Sequence, residues 1–140
     1  MPKKQFPAAA SSLEQMLSFV EDTLEEAGFP AKAAMQVAVC AEEIFINIAH
    51  YAYPDGMGEM TLSVEADDRQ ASLSFTDRGV PFDPLAKADP DISLSAEERR
   101  IGGLGIFMVK QTMDDVSYEY RDGRNIFTMK KQSGSRKRSG

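Results

Sequence analysis

Two polar side chains interrupt one of the most apolar stretches of the chain. The window Val37–Ala52 reads VAVCAEEIFINIAHYA, and Glu43 and Asn47 stand in it four residues apart. On a helix that spacing puts both on one line, with His50 on the same face. A carboxylate and an amide on so apolar a helix are costly unless something satisfies them. They can bond to each other or to a neighbouring loop. Alternatively they face a polar ligand, and their oxygens are the hard donors that Mg²⁺ takes alongside phosphates and water. Glu42, about 100° round the helix from Glu43, reads as a solvated surface charge.

Asp77 follows the apolar strand-like run SLSF and opens the sequence Asp77-Arg78-Gly79-Val80-Pro81-Phe82. It is either a turn residue, with Gly79 supplying a positive φ, or a carboxylate at the floor of a pocket. In the second reading it accepts a hydrogen bond from an exocyclic amine, and Gly79 lets a flat ring approach the backbone. Such a charge-assisted bond contributes about 1.5–3 kcal/mol. Further on, Arg99-Arg-Ile-Gly-Gly-Leu-Gly-Ile-Phe-Met-Val-Lys110 sets Gly102, Gly103 and Gly105 directly before a helix. Glycines let backbone N–H groups converge, and a helix N-terminus adds partial positive charge, so the segment suits a phosphate. It lacks the Gly-Lys-Ser/Thr of a Walker A loop. Position 108 is Met and no strand precedes it, so it is not the dinucleotide fingerprint either.

The elements that must position these residues read as follows. Leu13, Met16, Leu17, Val20 and Leu24 recur at helical spacing from roughly Ser11 to Ala27. Ser11 or Ser12 is the expected N-cap and Gly28 the stop. A second helix runs from Pro30 or Ala31 to Ala52, ended by Pro54-Asp-Gly56. Glu59–Ala66 and Gln70–Thr76 alternate as strands, and Asp67-Asp68-Arg69 joins them as a tight hairpin. Residues 77–100 hold three prolines and no sustained period, and a loop of that length in a compact domain is often functional. A helix from about Gly105 to Met113 and strands near Val116–Arg121 and Asn125–Lys131 complete the order, the last two flanking the turn signal Asp122-Gly123. The implied fold is α+β, a two-layer sandwich with a mixed, mostly antiparallel sheet and helices on one face.

Bulk properties narrow the function. The chain has 140 residues, 42% apolar and 27% charged, with a net charge of −6. That is one globular domain, read as residues 1–132, with 133–140 as a basic, disordered tail or an expression remnant. Without the three basic residues of that tail the body carries −9. Such a body is a poor general binder of nucleic acid or anionic membrane. No apolar run reaches a membrane span, and the N-terminus lacks a signal peptide's apolar core, so the expected location is the cytoplasm. A single cysteine, Cys40, excludes an internal disulfide, and a single histidine, His50, excludes a multi-His zinc site. Bulk charge will not draw a nucleotide to this protein, so local donors and Mg²⁺ would have to.

In this order the three segments resemble the ATP-binding domain of the GHKL superfamily, and within it the bacterial anti-sigma-factor serine kinases. The matching words are Glu43-x-x-x-Asn47 with Ala52-Tyr53, Asp77-x-Gly79, and Gly103-x-Gly105 followed by Ile-Phe-Met-Val. The likeness runs from about Phe6 to Lys131. The resemblance implies a Bergerat fold with ATP between the second helix, the strand-end acid and the glycine loop. It implies that Asp77 holds the adenine amine, Gly79 borders the base and Asn47 coordinates Mg²⁺. It implies phosphate contacts from the segment holding Arg100, Gly102, Gly103, Leu104 and Gly105. Glu43 would be the general base, and residues 83–101 would be the ATP lid. The chain departs from the pattern in two places. Tyr51 stands where many relatives have His, and Ile101 separates Arg99 and Arg100 from the glycines.

Three readings follow from the resemblance. The first is a serine/threonine protein kinase that phosphorylates a STAS-domain antagonist and sequesters a sigma factor. The second is an ATP-binding switch that regulates a partner through its lid without kinase activity. The third, a degenerate module that binds no nucleotide, runs against the complete motif set. The resemblance also implies a homodimer, and eight methionines are compatible with an adaptable partner surface. Met108 and Met113 read as core instead.

Overall fold

The computed structural model describes residues 2–53, 58–86 and 104–134. The order is β1 (Lys3–Pro7), α1 (Leu13–Glu26), α2 (Ala31–Tyr51), β2 (Glu59–Ala66), β3 (Gln70–Asp77), α3 (Leu104–Thr112), β4 (Asp115–Arg121) and β5 (Arg124–Gln132). Single 3₁₀ turns lie at Ala10–Ser12 and Pro84–Ala86. The strands form one sheet in the order β1-β2-β3-β5-β4, antiparallel in all four pairings.

Strict alternation builds the sheet. Met60, Leu62 and Val64 of β2, Ala71, Leu73 and Phe75 of β3, and Phe127 and Met129 of β5 are all buried on one face. Residues of the opposite parity are polar apart from Ile126, and Ser74 and Thr128 share a 3.0 Å hydroxyl bond there. The helices lie on the buried face. Met16, Val20 and Leu24 carry α1 into it, and Val37, Ala41, Ile44, Phe45 and Ile48 carry α2. An α2 of 21 residues spans about 30 Å, long enough to reach every element of the site.

Local signals end the elements where the sequence places them. Gly28 takes φ +78°, its N–H donates to Glu25 O at 3.0 Å, and Phe29 N–H donates to Leu24 O at 3.0 Å. This is the Schellman arrangement, in which a left-handed residue closes the helix. Asp67 Oδ1 accepts from the N–H groups of Arg69 and Gln70, which fixes the β2–β3 turn. Asp122 and Gly123 both have positive φ, at 54° and 76°, as a two-residue hairpin requires.

Other features differ from the expectation. Ser12 is the N-cap of α1, but its hydroxyl makes no capping bond. The strand β1 was not expected. Only Phe6 of its five residues is buried, so it carries no alternation to detect. Lys131 is buried on the inward face of β5, where its Nζ donates to Thr112 O at 3.0 Å and satisfies the carboxyl end of α3. Cys40 lies beside that cluster. Burial pushes its thiol up to about 11, which leaves it inert at neutral pH.

Phe45 is fully buried where α2 meets the sheet, whereas Met35 on the same helix is 71% exposed. Phe45→Ala should therefore cost about 3–5 kcal/mol, and Met35→Ala should stay within about 0.5 kcal/mol. Urea unfolding of both variants checks this, and a Phe45→Ala cost below that of Met35→Ala would contradict the packing.

Candidate functional site

Every described motif residue meets α2. Asp77 is the last residue of the central strand β3 and lies opposite Asn125 of β5. It points to the helix side and is 4% exposed. Its Oδ1 accepts from Gly79 N–H at 2.8 Å and from Asn125 Nδ2 at 2.9 Å. Burial raises the Asp77 pKa, and these two bonds act in the opposite direction. Among the described residues no hydrogen bond reaches Oδ2, and Asp77 lines the space under α2.

Close packing alone requires glycine at position 79. A Cβ there would stand 2.0 Å from Ala52 O at the end of α2. That same oxygen accepts a 2.8 Å bond from Val80 N–H. Tyr53 completes the junction, since its hydroxyl donates to Glu59 O and accepts from Arg78 N–H. The Ala52-Tyr53 pair thus clamps the loop after Asp77 onto the end of α2.

Glu43 and Asn47 lie along the other part of α2. Asn47 Nδ2 donates to Glu43 O at 2.7 Å, so the amide nitrogen is spent on the helix backbone. Its Oδ1 accepts nothing among the described residues and stays available as a hard donor. The Glu43 carboxylate lies against the first turn of α3, where a Cβ on Gly105 would stand 2.0 Å from Glu43 Oε2. Burial raises the Glu43 pKa, and the charge of Glu42 adds to the effect. Glu42 is half-buried rather than the fully solvated charge expected. His50 is exposed, with its ring 6.1 Å from that of Tyr51.

Between these groups lies a cavity walled by Ile44, Ile48, Phe75 and Phe127, with Asn47, Asp77 and Asn125 opening onto it. Phe82, Pro84 and Tyr118 close it down to about 20 Å³, room for about one water. Phe82 is held by stacking on Tyr51 at 4.9 Å and by its N–H donating to Asn125 Oδ1 at 3.1 Å. At that size the space does not admit a flat base. The chemistry of the site suits one: apolar walls with a single buried carboxylate oxygen at the floor. Mg²⁺ also suits what is present. Asn47 Oδ1 offers one oxygen, and this ion usually takes few protein ligands beside phosphates and water. Among the described residues no group of three His, Cys, Asp or Glu side chains could hold a metal alone.

Of the expected site residues, the structure brings together Glu43, Asn47, Asp77, Gly79 and Gly105, and Leu104 opens α3 beside them. Arg99, Arg100, Gly102 and Gly103 lie outside the described residues, as does most of the expected lid at 83–101. Asn125 and Tyr118 were missed. For Asn125 a signal existed: strand parity puts it on the inward face with Phe127 and Met129, where a lone amide needs partners.

A helix laid over an antiparallel sheet, with polar groups near one strand end and a carboxylate against the first turn of a second helix, fits the architecture of histidine kinase-type ATPase domains. The chain belongs to the histidine kinase-like ATPase domain family, which matches residues 6–131. Among curated proteins it is 25% identical over 130 residues to the serine/threonine-protein kinase BtrW of Bordetella bronchiseptica, covering 92% of each chain. It is 28% identical over 109 residues to the serine-protein kinase RsbW of Listeria monocytogenes, covering 74% of this chain and 69% of the relative. Among solved structures it resembles a chain of the SiaB–SiaC complex of Pseudomonas aeruginosa, with a TM-score of 0.56 and 18% identity. That match covers 94% of this chain and 89% of the other. Among the described residues no helix is long and apolar enough to cross a membrane.

Two predictions follow from the geometry. Gly79→Ala drives a methyl into a backbone oxygen and should cost about 1–3 kcal/mol. Gly105→Ala meets only the movable end of Glu43 and should cost less. Urea unfolding ranks the two, and the reverse order would contradict the account. The second concerns pH. With its folded pKa raised, Asp77 favours folding fully below its unfolded value near 3.8. That contribution is lost as pH rises through the folded pKa. Asp77→Asn should therefore unfold at a higher midpoint than wild type at pH 7. The gap should narrow toward pH 4, and a gap independent of pH would contradict it.

Proposed function

We propose that this chain is an ATP-dependent serine/threonine protein kinase and anti-sigma factor. Its protein substrate in this reading is a STAS-domain antagonist, and its second partner is a sigma factor. One observation carries the kinase reading: the Glu43 carboxylate, with no hydrogen bond among the described residues, lies against the first turn of α3, on the helix that also presents Asn47. The names of BtrW and RsbW as serine or serine/threonine kinases support it. The antagonist and the sigma factor rest on the resemblance to anti-sigma kinases. The solved SiaB–SiaC complex is compatible with a small protein partner.

In this reading residues 1–132 form one ATP-binding domain with a lid at 83–101, and the protein acts as a homodimer. Asp77 Oδ2 accepts the adenine amine, and Ile44, Ile48, Phe75 and Phe127 enclose the ring. Backbone N–H groups of Gly103, Leu104 and Gly105 face the phosphates, where the α3 dipole favours negative charge. Asn47 Oδ1 holds Mg²⁺, which when bound neutralises phosphate charge. Glu43 accepts the proton from the acceptor hydroxyl as that oxygen bonds to the γ-phosphorus. The bond from the γ-phosphorus to the bridging oxygen breaks, and ADP leaves. A pKa raised by burial moves Glu43 toward the working pH of a general base. Little else is needed, because phosphoryl transfer depends mainly on positioning and charge neutralisation.

A second reading has one observation in its favour. The base cavity is narrowed by Phe82 and Pro84, where the expected lid begins, so nucleotide entry itself would move that segment. A non-kinase switch would need no more than that.

The readings separate on Glu43. Glu43→Gln should lower phosphoryl transfer to a cognate STAS protein by about 10²–10⁴-fold, with ATP affinity within a few-fold of wild type. Phosphopeptide mass spectrometry with Mg·ATP reads the transfer. Transfer by Glu43→Gln at the wild-type rate would remove Glu43 as base. Absence of transfer by wild type to a verified partner would favour the switch.

A further inference from the structure

Asn125 spends every hydrogen-bonding position of its amide. Nδ2 donates to Asp77 Oδ1 at 2.9 Å and to Val80 O at 2.8 Å. Oδ1 accepts from Phe82 N–H at 3.1 Å and from the Tyr118 hydroxyl. The orientation is unambiguous, because a backbone N–H must meet the oxygen and a backbone carbonyl must meet the nitrogen. Asn125 is 5% exposed, so it cannot turn to solvent.

The consequence falls on Asp77. A carboxylate oxygen has two in-plane lone pairs. At Oδ1 both are taken, one by Asn125 Nδ2 and one by Gly79 N–H. We propose that Asn125 is a specificity-determining residue, which restricts Asp77 to a single uncommitted acceptor, Oδ2, and thereby selects adenine over guanine nucleotides. Adenine offers its exocyclic amine as one donor beside an acceptor nitrogen. Guanine offers a ring N–H and an amine side by side, and a carboxylate meets that pair through both oxygens. With Oδ1 saturated, one of the two guanine donors would be buried without a partner, which is costly. The inference rests on the nucleotide-binding reading above and adds to it the residue that sets the base.

Calorimetry with Mg·ADP and Mg·GDP on wild type, Asn125→Ala and Asn125→Ser tests it. Thermal melting selects whichever variant is folded. Wild type should bind ADP at least about tenfold tighter than GDP, the ratio expected for one unpaired buried donor. Removing the Asn125 amide frees a lone pair on Oδ1, so the ratio should fall several-fold toward one, with GDP affinity rising or holding while ADP affinity drops. A merely structural role would weaken both nucleotides equally and leave the ratio unchanged, which would overturn the inference. Equal binding of ADP and GDP by wild type would overturn it with the nucleotide reading intact. If wild type binds neither, both fall together.

Discussion

A carboxylate held under a sheet must be paid for, and most of the site follows from how Asp77 meets that demand. Desolvation pushes the group toward its neutral form, and hydrogen bonds to one oxygen pull it back. Those bonds come from Gly79 N–H and Asn125 Nδ2. Each donor imposes its own geometry. Gly79 must sit in the turn right after β3, and Asn125 must begin β5 in register with Asp77. Asn125 must in turn be fixed, which brings Tyr118 from β4 and the backbone of Phe82 to the same point. One buried acid thus ties the central strand, its neighbour, the edge strand and the segment that closes the cavity.

The helix α2 meets a second constraint, close approach. Both described motif glycines exist where an α2 atom occupies the space of a Cβ: Ala52 O at Gly79, and the Glu43 carboxylate at Gly105. The first contact is with backbone and fixes the fold. The second is with a side-chain end and fixes where the Glu43 carboxylate stands relative to a helix N-terminus. The two contacts, one near the middle of α2 and one just past its carboxyl end, are thereby held at a set separation. Stability is given up for this, since both acids have pKa values raised by burial.

Much of this was legible in the sequence. The hairpin turns, the helices and the pairing of Glu43 with Asn47 rest on local chemistry: a positive-φ Gly123, an Asx turn at Asp67, apolar spacing along α2. The residues Asp77 and Gly105 could be picked out because an acid or a glycine at those places is unusual for its surroundings. What stayed hidden depends on contacts far apart in the chain. Phe6 cannot announce β1 alone, because that strand exists only through pairing with β2. Asn125 is 48 residues from its partner Asp77, and nothing near it in sequence says that it faces an acid. Nor does anything near Gly79 in sequence say that it abuts Ala52 at the end of α2.

The central claim is that Asp77 is the anchor of a nucleotide pocket rather than a structural acid. Its most direct test is calorimetric titration of ATP, with and without Mg²⁺, into wild type and Asp77→Asn. The substitution can keep an oxygen toward Gly79 and Asn125 while replacing the uncommitted acceptor with a donor. The account predicts saturable binding by wild type and a loss of at least about tenfold in the folded variant. Binding of equal strength by Asp77→Asn, or none by folded wild type, would contradict it.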